Sequence, residues 1–198
     1  MKKIKIYPAN KKYFIKLKEF AKEILELCKK IGVKPIAYGS LVFFGYAKDK
    51  KININDIDFL ILENTFEKII KALKKRKIKY NYSEEWHTLQ VFNKDLKIEF
   101  DSMDFWQKDL PHDVEVFGKP RTLVRGTLRA SQSPNKLRTK VRSKAQGLFD
   151  VEDFDFDGLI VKAVSLNSLR AIYKKASEVS KDNPHGNFKK YEVLKMLK

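Results

Sequence analysis

The chain has 198 residues, 43% of them hydrophobic, enough for one domain or a core with an appendage and too apolar for disorder throughout. Its single cysteine, Cys28, excludes an intramolecular disulfide framework and any cysteine-cage metal site. The formal charge of +17 makes polyanions such as nucleic acid or nucleotide phosphates candidate partners, although 35 of the 42 basic residues are lysine, a bias that an AT-rich coding sequence also produces. No apolar run nears the roughly 18 residues of a membrane span, and the start MKKIKIYPANKKYF lacks the apolar region of an export signal. The expectation is a soluble, unexported, cytoplasmic protein without a membrane partner.

Residues 11 to 31 put Phe14, Leu17, Ala21, Ile24, Leu25 and Cys28 at three- and four-residue spacing among lysines and glutamates. This predicts an amphipathic helix ending near Gly32, with Cys28 as a buried thiol. Pro35 opens a short apolar run, Ile36 to Tyr38, predicted to be a buried strand stopped by Gly39. After the polar stretch 49 to 55, the run Ile57 to Leu62 predicts a second strand. Residues 65 to 77 predict a helix with Phe66, Ile69, Ile70 and Leu73 inward and a basic end, Lys74 to Lys77, that suits the C-terminal dipole. Between Ile78 and Phe105 the period changes to two. The runs around Leu89 to Phe92 and Leu96 to Phe100, separated by the turn residues 93 to 95, predict an antiparallel pair. The fold class is α/β (α+β), a small mixed sheet flanked by helices.

From Val116 to Phe149 there is no acidic residue, while Lys119, Arg121, Arg125, Arg129, Lys136, Arg138, Lys140, Arg142 and Lys144 are basic. The acidic run that follows, Asp150, Glu152, Asp153, Asp155 and Asp157, is expected to be a solvated turn capping a helix that begins near Leu159. That helix should continue to Val179, with Pro184 and Gly186 breaking it before a last short helix. The division expected is a core at 1–118 and a basic, mainly helical C-terminal region at 119–198.

The most informative stretch is YGSLVFFGYAKDKKININDIDFLIL, residues 38 to 62. Asp56 and Asp58, two apart at the mouth of an apolar strand, project from the same face of a sheet. Paired carboxylates repel unless a cation lies between them, and oxygen pairs suit a hard divalent ion, although aspartates also start strands as solvated turn residues. Gly39 and Ser40 follow the first strand and open a segment whose free backbone N–H groups and hydroxyl suit a phosphate; Ser40 would serve equally as a helix cap. Downstream, Glu99 and Asp101 alternate with Leu96, Ile98 and Phe100 on one strand, so the two acids share the face opposite the apolar residues.

Other chemistries find less support. His87, His112 and His185 are scattered without metal-ligand spacing. The sequence lacks a G-x-x-x-x-G-K-[ST] loop, a G-x-G-x-x-G fingerprint and a nucleophile elbow, and the acidic run lacks calcium-loop spacing.

The order of strand, Gly-Ser, apolar turn, Asp-x-Asp in an apolar strand and a third carboxylate on a later strand resembles the polymerase-β-like nucleotidyltransferase superfamily over roughly residues 33 to 104. The matching residues are Gly39, Ser40, Asp56 and Asp58, with Glu99 or Asp101 as the third acid. The gap from Ser40 to Asp56 is longer than the family usually shows. Glu99, flanked by Ile98 and Phe100, best matches the apolar-acid-apolar pattern, and Asp101 is in phase with it. The resemblance implies metal-dependent transfer of NMP from an NTP, ATP being the first choice, to an acceptor hydroxyl. It implies Mg²⁺ or Mn²⁺ on Asp56, Asp58 and Glu99 and the phosphates on Gly39 and Ser40, with Lys136 and Lys140 as further candidates. Arg121, Arg125, Arg129, Arg138 and Arg142 are candidates for an RNA acceptor groove, because guanidinium groups pair with phosphates in a fixed fork and lysine-biased coding does not explain them. They could instead pair internally with the acidic run. The alternatives are nucleotidylation of a small molecule or protein, and a non-catalytic nucleic-acid-binding protein with this fold.

Overall fold

The computed structural model describes residues 1–5, 8–48, 53–108, 149–179 and 187–197. The strands are β1 (Lys2–Ile4), β2 (Ile36–Tyr38), β3 (Asp56–Ile61), β4 (Lys79–Ser83), β5 (Thr88–Asn93), β6 (Leu96–Ser102), β7 (Val151–Phe156) and β8 (Leu159–Val164). The helices are α1 (Lys11–Lys30), α2 (Gly39–Ala47), α3 (Phe66–Lys75), α4 (Met103–Lys108), α5 (Leu166–Val179) and α6 (Asn187–Met196). All eight strands join one mixed sheet in the order β1-β7-β8-β2-β3-β6-β5-β4. Among the described residues no helix is long and apolar enough to cross a membrane.

The central elements follow the sequence periodicity. The stripe of α1 buries Phe14, Leu17, Ala21, Ile24 and Cys28, and burial raises the Cys28 thiol pKa to about 12. Strand β3 is parallel to β6 and antiparallel to β2, so the two acid-bearing strands lie side by side in the middle of the sheet. The β5–β6 hairpin turns at Lys94, which takes a left-handed φ of 56°. On the face of β3 and β6 away from the carboxylates, Phe59 and Phe100 stack with centroids 5.6 Å apart. Helix α2 crosses close to the sheet at Gly45, where a Cβ would lie 2.9 Å from both Ile4 Cδ1 and Phe156 Cε1.

The C-terminal expectation needs correction. Glu152, Asp153 and Asp155 of the acidic run lie in strand β7, with only Asp157 in a turn, and the residues from Leu159 form β8; helix begins only at Leu166, where the Ser165 hydroxyl accepts the Ser168 N–H. The reason is alternation. Phe154 and Phe156 are buried while the acids of β7 face outward or pair, Asp153 with Lys162 at 3.2 Å and Glu152 with Lys2. Asp157 and Gly158 make the turn, with φ of 54° and 89°, and Lys18 of α1 pins it by an ion pair to Asp157 at 2.9 Å. Strands β1 and β4 also enlarge the sheet beyond the predicted elements. The boundary at 118/119, the seven expected contact residues Lys136, Lys140, Arg121, Arg125, Arg129, Arg138 and Arg142, and His112 and His185 lie outside the described residues.

Candidate active site

Register places the acids. Across the parallel β3–β6 pair, Asp56 faces Lys97, Asp58 faces Glu99 and Leu60 faces Asp101. Since side chains alternate along each strand, Asp56, Asp58, Lys97, Glu99 and Asp101 all project from one face. They do not reach the same depth. Asp56, Asp58, Lys97 and Glu99 line a cleft of about 470 Å³ together with Gly39 and Ser40. Asp101 lies beneath it, 8% exposed, with its oxygens taken by the Tyr38 hydroxyl and by Thr88 Oγ1 at 2.6 Å. The structure therefore brings Glu99, and not Asp101, to the cleft beside Asp56 and Asp58.

The Gly-Ser turn is built against these acids. Tyr38 ends β2 opposite Asp58, and Gly39 starts α2 with a φ of +70°. A Cβ at Gly39 would overlap the Asp58 carboxylate and lie 2.8 Å from its Cγ. Glycine alone satisfies both the left-handed backbone and this approach. Ser40 is not a helix cap. Its hydroxyl accepts from Lys190 Nζ at 3.0 Å and bonds the Tyr173 hydroxyl.

The far wall comes from α5, α6 and Trp106: Ile172, Tyr173, Ala176, Asn187 and Lys190. Sequence reasoning missed Lys190 and Tyr173 as site residues. Tyr173 packs edge-on against Phe43 of α2 at 5.9 Å, and the Lys190 ammonium lies 5.3 Å from the Tyr173 ring centroid. A second pocket of about 400 Å³ adjoins the first, sharing Ser40, Asn53, Asn55 and Lys190 and adding Lys189. The other tryptophan, Trp86, is 64% exposed on the β4–β5 turn.

Charge is unevenly distributed here. Burial, then the nearby Asp56, Glu99 and Asp101, hold the Asp58 carboxyl well above the usual carboxylate range, with Lys97 opposing. Burial raises the Asp101 pKa to about 6, against the bonds from Thr88 and Tyr38 that lower it. On the other wall, burial lowers the Lys190 pKa, while Asp58 and Asp56 work the other way. Burial also disfavours the Lys97 ammonium, but its bonds to Asp56 and Glu99 more than offset this and raise its pKa.

Among the described residues no three His, Cys, Asp or Glu side chains stand as a ready-made metal cage. The donor chemistry nonetheless fits a hard divalent cation, because three carboxylates line one cleft and Asp58 is short of positive charge.

No protein-family model and no curated protein matches the chain. Among solved structures it is similar to the antibiotic-resistance factor ANT(2'')-Ia, at 9% identity over 91% of this chain and 83% of that one, with a TM-score of 0.52. It is also similar to the lincosamide antibiotic adenylyltransferase LnuA, at 12% identity over 90% and 96% of the two chains, with a TM-score of 0.48. A tRNA nucleotidyltransferase matches at 19% identity over 40% of this chain and 22% of its own, with a TM-score of 0.32. At such identities the likeness speaks to fold, and the first of the three carries it. The chain shares the fold of that antibiotic-resistance factor.

Proposed function

We propose that this protein transfers a nucleoside monophosphate from a nucleoside triphosphate, ATP being the first choice, to a hydroxyl of a small molecule. The observation that carries the reading is the packing of the Gly39–Ser40 turn directly against Asp58, with Asp56 and Glu99 in the same cleft. A phosphate-binding turn and a carboxylate cluster in contact are what phosphoryl chemistry requires, since the work is positioning and charge neutralisation.

Asp56, Asp58 and Glu99 would hold Mg²⁺ or Mn²⁺, which when bound supplies charge neutralisation of the triphosphate and a lowered pKa for the attacking hydroxyl. The backbone N–H groups opening α2 and the Ser40 hydroxyl bind phosphate oxygens, and Lys190, already bonded to Ser40, adds a cation on the phosphate side. Glu99 would accept the hydroxyl proton as the acceptor oxygen bonds to the α-phosphorus and the bond to pyrophosphate breaks. Tyr38, held by the buried Asp101, fixes the turn beneath the phosphates.

A small acceptor is favoured over RNA on two grounds. The adjoining pockets of about 470 and 400 Å³ give room for a nucleotide tail and a compact second substrate. The fold likeness that spans most of both chains is to an antibiotic-resistance factor. The test is incubation with Mg²⁺ and each labelled nucleoside triphosphate, with hydroxyl-bearing small molecules or with cellular RNA. Pyrophosphate release with label on the small-molecule fraction is expected; label on RNA overturns the acceptor assignment, and no release under any condition overturns the activity.

A further inference from the structure

The cleft holds a cation of its own. Lys97 Nζ lies 2.8 Å from Asp56 Oδ2 and 3.0 Å from Glu99 Oε2. Register brings these groups within reach: Lys97 is the direct cross-strand partner of Asp56, and it precedes Glu99 by two residues on the same face of β6. The bridge is two-thirds or more shielded, with side-chain exposures of 30%, 28% and 22% for Lys97, Asp56 and Glu99. Gln90 Nε2 supports it by donating to the same Glu99 oxygen at 2.9 Å. Lys190 is turned to Ser40 on the other wall. Among the described residues, Lys97 alone forms ion pairs with the cleft carboxylates, and none of these pairs includes Asp58.

We propose that Lys97 is a built-in counter-cation, which holds Asp56 and Glu99 before a divalent ion binds and must be displaced by that ion. It thereby sets the protein's metal affinity. The inference rests on the reading of Asp56, Asp58 and Glu99 as metal ligands. Its physical basis is competition. Three carboxylates on two adjacent strands repel one another, and an ammonium that bridges two of them relieves that repulsion. A divalent ion that takes Asp56 Oδ2 and Glu99 Oε2 competes directly with the lysine ammonium for them. The flexible stem of lysine permits this release, and the ammonium remains on a side chain that lines the cleft.

The test measures Mn²⁺ binding to the nucleotide-free full chain, by the electron spin resonance signal of free Mn²⁺, for wild type, Lys97→Met and Lys97→Arg, together with metal-free melting. Lys97→Met is expected to bind Mn²⁺ about tenfold more tightly, the weight of a partly shielded charge pair. It should melt about 3 °C lower without metal and regain the difference at saturating Mn²⁺. Lys97→Arg, which keeps the charge, should stay near wild type. Should Lys97→Met fail to fold, Lys97→Gln, which retains a hydrogen-bond donor, replaces it with the same expected tightening. Mn²⁺ affinity equal to or weaker than wild type in the neutral variant, while wild type does bind Mn²⁺, overturns the role of Lys97 alone. Absence of Mn²⁺ binding in every protein overturns the metal-ligand reading and this inference with it.

Discussion

The two walls of the cleft are assembled by different physics. On the sheet wall, Asp56, Asp58, Lys97 and Glu99 sit where period-two alternation and the β3–β6 register put them, so two short alternating stretches determine four positions of the cleft. On the helical wall, Lys190 reaches Ser40 across 150 residues of chain, and Tyr173 arrives from α5. Nothing local fixes that contact; packing of α5 and α6 on α2 does. The carboxylates and Lys97 are thus a property of the sheet, and the Lys190–Ser40 contact a property of tertiary assembly.

This contrast can be broken most forcefully on the sheet wall. Asp58→Asn should lower nucleotidyl transfer by about a thousandfold or more, through loss of a proposed metal ligand, while leaving the circular dichroism unchanged, since the amide is isosteric and burial and the neighbouring acids already disfavour the charged carboxylate. Retained turnover would remove the acids from the chemistry. Gly39→Ala tests the junction of the walls. A methyl group there meets the Asp58 carboxylate in a left-handed backbone, so about 2–4 kcal/mol of stability should be lost in denaturant titrations, and activity with it.

Lys190→Ala tests the helical wall by itself. Its expected signature is a rise of about tenfold in KM for the nucleoside triphosphate, with kcat changed much less, as for a group that binds phosphate similarly in ground and transition states. An unchanged KM would make Lys190 a structural partner of Ser40 only.

The smallest expected effect is the pH dependence carried by Asp101. Its pKa is raised in the folded protein from 3.8 to about 6, so the folded state binds the proton more tightly than the unfolded state. The resulting stability is fully present below about pH 4 and declines as pH rises through 6. Comparing melting temperatures of wild type and Asp101→Asn from pH 4 to 7 isolates it. Wild type should lose stability relative to the variant across that window, and a constant difference would contradict the shift.

The sequence was most legible where one period ran unbroken. Helix α1, strands β2 and β3 and the β5–β6 hairpin each carry a single pattern, and the Gly39, Ser40, Asp56 and Asp58 positions follow from them. The choice between Glu99 and Asp101 was not legible, since both lie on one pleat. Depth separates them, and depth depends on Tyr38 and Thr88 arriving from other strands. The acidic run from 150 to 157 misled because its charges hid an alternation. Phe154 and Phe156 mark the buried face, and Asp157-Gly158 is a recognisable hairpin turn. Lys190 had no signal at all, standing in a lysine-rich helix of which only Leu194 is fully buried.

The most direct test of the account is equilibrium binding of a non-hydrolysable ATP analogue, with and without Mn²⁺, to wild type and Asp58→Asn. Wild type should bind the analogue tightly only when Mn²⁺ is present, and Asp58→Asn should lose that metal-dependent increment while remaining folded. Equal binding with and without Mn²⁺, or an undiminished increment in the variant, would contradict the claim that these carboxylates grip a metal-bound nucleotide.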